Sequence, residues 1–101
     1  MDALNFSINP CKSNPYRWYI YFSITSPFNM EQVKKLMIGN DFTILADTPS
    51  VIVFRSSIYR LTWHRQGMIQ IDIYTSKETK KDNIEQLINH ILEDNSVDIF
   101  R

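Results

Sequence analysis

The side chains best suited by type to do chemistry stand together in "YRLTWHRQGMIQIDIY" (Tyr59–Tyr74), where Trp63, His64 and Arg65 come just before Gly67. His64 could move a proton near neutral pH or ligate a metal, and either task needs partners. The chain has only two histidines, His64 and His90, and one cysteine, Cys11, and no two of these lie at metal-ligand spacing. A Cys11–His64 nucleophile and base pair has no supporting motif. Asp41, Asp47 and Asp72 form no recognisable acid/base pair, because strand or turn placement accounts for each of them. With only Gly39 and Gly67 for glycines, no Gly-rich loop can cradle a phosphate. The expectation is a non-enzymatic chain with no catalytic residues, no cofactor, no metal and no small-molecule substrate.

The bulk composition bounds what could position such residues. At 101 residues, 44% hydrophobic and 13% aromatic, the chain supports one domain with one real core. Eleven basic and eleven acidic residues cancel, so no whole-protein field advertises nucleic acid or an anionic membrane. The distribution is bipolar. Arg55, Arg60 and Arg65 are the only charges from Thr48 to Ile71, whereas Asp82 to Asp98 carries acids alone. One cysteine excludes an internal disulfide and fits a reducing, cytoplasmic setting. The start "MDALNFSINP" has neither the basic nor the apolar region of a signal peptide. No apolar run approaches the ~20 residues of a membrane span.

Residues 1–16, rich in Asn, Ser and Pro, read as an irregular arm with a short extended piece around Phe6 and Ile8, ahead of a single α+β domain at 17–101. "RWYIYFSIT" alternates strictly, with Trp18, Ile20, Phe22 and Ile24 in one phase, and is a strand. A helix of about ten residues follows: Asn29 is its N-cap with Gln32 three residues on, and Gly39 its C-terminal glycine. Strands are predicted at Asp41–Ala46 and Val51–Arg55, joined by a turn in which Asp47 and Ser50 bond local backbone. "IYRLTWH" and "MIQIDIY" form a hairpin about Gly67, which supplies a positive φ. Ile84, Leu87, Ile88, Ile91 and Leu92 then mark an amphipathic helix. Capping boxes Thr75/Glu78 and Thr79/Asp82 leave its start uncertain by a turn. The tail can dock through Val97, Ile99 and Phe100.

The fold class is therefore α+β, a single antiparallel sheet of about five strands with two helices on one face. Assigning the strictly apolar phases to the helices leaves the other sheet face open. Arg17, Tyr19, Tyr21, Arg60, Thr62, His64, Gln70 and Tyr74 fall on it, with Met68 and Asp72, and Arg65 sits at the hairpin tip. On Val51–Arg55 both phases are apolar, so either Ile52 and Phe54 or Val51, Val53 and Arg55 face outward. A face mixing Tyr, Arg, His and aliphatics has the composition of an interaction surface.

From "NMEQVKKL" through "RQGMIQIDIYTSKETKKDNIEQLINHIL", the order strand–helix–strands–helix resembles one repeat of the TATA-box-binding protein family. The resemblance lies in element order, spacing and the hairpin-tip Gly67. It implies the half-saddle fold of that family. The family carries two such repeats in one chain and kinks DNA with pairs of Phe. This chain has one repeat and no evident Phe pair, so DNA binding of that kind implies a homodimer. Single-repeat relatives serve as substrate-binding or protein-binding appendages. The expected function is an interaction module, of a regulatory or viral-type adaptor kind, that binds a protein partner or a second copy of itself. A nucleic-acid binder using a dimeric saddle is the alternative.

Overall fold

The computed structural model describes residues 6–23, 28–74, 80–92 and 99. Alternation organises it. In β1 (Phe6–Pro10), β2 (Arg17–Phe22), β4 (Val51–Arg55), β5 (Tyr59–His64) and β6 (Met68–Ile73), buried and accessible residues follow one another with period two. β3 (Thr43–Asp47) is accessible throughout, as an edge strand can be. All six strands join one antiparallel sheet in the order β1-β2-β6-β5-β4-β3.

The sheet thus has six strands rather than about five. The added strand, β1, lies in the stretch read as an irregular arm, and it holds the extended piece at Phe6 and Ile8. Strand β2 ends at Phe22, and Ile24 lies outside the described residues.

Helices α1 (Met30–Gly39) and α2 (Lys81–Leu92) share a core with one phase of the sheet. Val33 and Met37 from α1 and Ile84, Ile88, Ile91 and Leu92 from α2 pack there with Trp18, Ile20, Ile52, Phe54, Leu61, Trp63, Ile69 and Ile71. Both helices therefore cover the same face, α1 toward β3 and α2 toward β1. Phe22 stacks edge-on to Phe28 at 5.4 Å, and Phe28 edge-on to Trp63 at 4.9 Å, a favourable aromatic geometry. Ile99 is buried, and its carbonyl accepts the Asn29 backbone N–H. The tail therefore docks at that residue; Val97 and Phe100 lie outside the described residues, as do Thr75, Glu78 and Thr79 of the capping boxes.

Local chemistry sets the ends of α1. Asn29 Oδ1 accepts the Gln32 N–H, as an N-cap should. At the other end Gly39 is the last helical residue, and Asp41, with φ 66°, takes the left-handed conformation instead. The Asp41 N–H donates to the Ile38 carbonyl and the Phe42 N–H to that of Met37, which is a Schellman closure. Gly39 is thus not the terminating residue. Its position merely tolerates glycine, with nothing within 4 Å of where a Cβ would stand.

In the β3–β4 turn, Thr48 rather than Asp47 or Ser50 supplies the local side-chain bonds: its Oγ1 donates to the Val51 carbonyl and accepts the Val51 N–H. Asp47 instead pairs with Lys34 of α1 at 2.7 Å. Gly67 does what its position requires: φ is 98°, and its carbonyl accepts the Phe22 N–H at 3.1 Å.

The two glycines therefore differ. Gly67→Ala is expected to cost on the order of 1–2 kcal/mol, since an L side chain is strained at that φ. Gly39→Ala is expected to stabilise by about 0.5–1 kcal/mol. Urea unfolding of both variants, followed by circular dichroism, checks the pair.

Candidate interaction surface

Register fixes the open face as three rows across the strands. The first runs Ser7, Tyr21, Met68, His64 and Val51. The second is Asn9, Tyr19, Gln70, Thr62, Val53 and Ala46. The third is Arg17, Asp72, Arg60, Arg55 and Thr43. Of the residues expected there, Arg17, Tyr19, Tyr21, Arg60, Thr62, His64 and Gln70 are brought together on these rows. Tyr74 joins them through its ring, which lies 4.8 Å beneath the Arg55 guanidinium.

Arg65 does not share this surface. It lines a hollow of about 360 Å³ with Met30, Glu31, Lys34, Asp47, Thr48 and Pro49, on the α1 side. There Lys34 bonds to Asp47 and, at 3.2 Å, to Glu31, and these two bonds hold its ammonium above the ordinary lysine range.

Strand β4 settles its two phases by packing. Ile52 and Phe54 have no exposure, and Val51, Val53 and Arg55 face outward. Arg55 thereby becomes a surface residue directly opposite Arg60. Like charges set face to face across strands repel, so the arrangement needs an anion nearby. Asp72 is that anion. Its Oδ1 accepts from Arg17 Nε at 2.7 Å, while its Oδ2 accepts from Gln70 Nε2 at 2.9 Å and stands 3.7 Å from Arg60 Nη2. The hydrogen bond and charge of Asp72 hold the Arg17 guanidinium above its ordinary range.

Two polar atoms on the face are buried without a hydrogen-bond partner among the described residues, Arg60 Nε and His64 Nε2. His64 sits between Met68 and Val51, half-buried among apolar neighbours. At the margin, Cys11 Sγ lies 3.4 Å from Ser13 Oγ, and Tyr19 Oη donates toward the sulfur at 4.0 Å. The bond from Ser13 is the largest influence lowering the thiol pKa below its ordinary value. Among the described residues no three His, Cys, Asp or Glu side chains gather as a metal site, and no helix is long and apolar enough to cross a membrane.

In the sequence Arg55, Val51 and Val53 are one of two options for the outward phase, and no pattern marks Ser7 and Asn9. The signal for Arg55 was available: the "SS" break after it makes a tight turn, which sets Arg55 against Arg60. No protein-family model, curated protein or solved structure matches the chain.

The Asp72 cluster orders its own substitutions. Asp72→Asn is expected to lower the unfolding free energy by about 1–2 kcal/mol, as loss of a half-buried charge-assisted bond does. Arg17→Met should cost about as much and Arg60→Met clearly less, given the longer contact, in urea titrations. At Cys11, alkylation by iodoacetamide is expected to have a midpoint pH below that of a free thiol. Ser13→Ala should move the midpoint upward; an unchanged midpoint would remove the role given to Ser13.

Proposed function

We propose that the chain is a small non-enzymatic interaction module that seats a protein surface on the open face of its sheet, as a regulatory or viral-type adaptor would. One observation carries this reading. The described residues leave a whole face of a six-stranded sheet uncovered, with Tyr21 48% and Tyr74 44% exposed beside half-exposed Met68, Val51 and Val53. Tyr, Met and Arg are the residue types enriched where proteins meet, and rigid tyrosines make effective anchors there.

The electrostatics favour protein over nucleic acid. Arg17, Arg60 and Arg55 are the cations of the three rows; the first two share Asp72, and the third stacks on Tyr74. Among the described residues these rows hold three arginines to neutralise phosphates, for a salt slope of about 2–3 on logarithmic axes. The competing reading, a nucleic-acid binder completing a saddle as a dimer, draws its support from the same exposed tyrosines, which could stack on bases.

The test compares the unaltered chain with Tyr21→Asp and Val53→Lys as immobilised baits in nuclease-treated extract of the native cells. A protein held at low and high salt by the unaltered chain, and lost by both variants, is the expected result. Saturable binding of single-stranded or duplex DNA or RNA, weakened by Arg60→Ala and by salt, would overturn the protein reading in favour of the alternative.

A further inference from the structure

The sheet has two edges, and among the described residues they are defended unequally. At the β3 edge the register slips between Ile44 and Ala46, so Leu45 forms a bulge, and Asp47 brings a charge bound to Lys34. Bulges and charges are the usual means of keeping an edge from pairing. At the other edge β1, "FSINP", keeps unbroken register with β2 and carries no charged side chain.

The hydrogen-bond phase of β1 follows from its flanks. The Cys11 N–H donates inward to the Arg17 carbonyl at 3.0 Å, so Asn9 and Ser7, in the same phase, also turn their backbone groups toward β2. Phe6, Ile8 and Pro10 turn theirs outward. Pro10 has no N–H to offer, the placement proline tolerates on an edge. The N–H and C=O groups of Phe6 and Ile8 remain, on a strand with no other strand beside it among the described residues. Beside them runs a groove of about 580 Å³, between Phe6–Asn9 and the α2 residues Lys81, Glu85 and Asn89. These three are spaced i, i+4, i+8 and make one stripe along the helix.

We infer that the β1 edge pairs antiparallel with β1 of a second copy of the chain, about a two-fold axis at Ser7. In this register Phe6 faces Ile8 of the other copy, and every outward N–H and C=O of those residues is bonded. Shifting the register to set Ile8 opposite Ile8 would face a Phe6 carbonyl with Pro10 and leave that acceptor unmet. The side chains agree with the occupant. Phe6 and Ile8 lie in the core-facing phase, so the incoming strand brings its own Phe6 and Ile8 side chains alongside theirs at the groove. The seam differs from the open face and does not depend on what that face binds.

The test uses Cys11→Ser with either Ser7→Cys or Asn9→Cys, both exposed positions that leave the core intact. At the axis the two Ser7 residues form a non-hydrogen-bonded pair with Cα atoms about 4.5 Å apart, within disulfide range. The two Asn9 residues would stand about 13 Å apart along the strands. Under mild oxidation Ser7→Cys is expected to give a covalent dimer far faster than Asn9→Cys. Light scattering of the unaltered chain should show a mass rising with concentration from 12.0 kDa toward twice that value, and Val53→Lys should leave the rise intact. A constant monomer mass, equal cross-linking at both positions, or a dimer lost on Val53→Lys would each overturn the edge pairing.

Discussion

The pairing of β2 with β6 joins two parts of the sheet that no other described ladder connects. β3 to β6 form a continuous meander of neighbours, and β1–β2 form a hairpin. Only the β2–β6 ladder, from Arg17↔Asp72 to Tyr21↔Met68, makes them one sheet. The chain closes a loop of some fifty residues to form it, an entropic cost that local turns do not share. Both ends of the ladder are pinned. Arg17 and Asp72 meet at 2.7 Å at one end, and the Phe22 N–H donates to the Gly67 carbonyl at the other. A slip of one residue would turn Trp18 and Ile20 out of the core and break both ties.

Arg17 and Asp72 therefore hold register as well as shaping the open face, and this changes how the face is read. Cations that look free in the sequence are engaged by a single carboxylate, and Arg55 finds an aromatic ring instead of an acid. Because Asp72 is only 14% exposed at its side chain, its bonds are less screened than those of a surface pair. What the face offers a partner is mostly shape, tyrosine and aliphatic surface, with modest positive charge.

Much of this was legible where one physical rule acts alone. Strict alternation placed Trp63 in the core and His64 on the open face, and a positive φ was foreseeable at Gly67. Asn29 caps its helix as its side chain allows. Less is legible where two rules compete. The residues of β1 look like a loop because Asn, Ser and Pro are poor strand formers, but an edge strand needs only one hydrogen-bonded side. Val51–Arg55 could not be phased because both of its faces are apolar, and only packing separates them. Arg65 follows the end of a strand, where alternation no longer binds, and it turned to the helix side. Gly39 was the natural choice to end α1, but an aspartate tolerates the left-handed region well enough that Asp41 took that place.

The indole N–H groups of Trp18 and Trp63 are both buried without an acceptor among the described residues. An apolar cage of this kind keeps an excited indole from relaxing against water. The two rings lie on β2 and β5, on either side of β6. The chain therefore carries a native optical reporter on each side of the β2–β6 seam. Trp63 has no exposure at all, and Trp18 only 8%. Separation of the hairpin from the meander would wet Trp18 first, so the emission of the unmodified protein distinguishes opening at that seam from loss of the whole core.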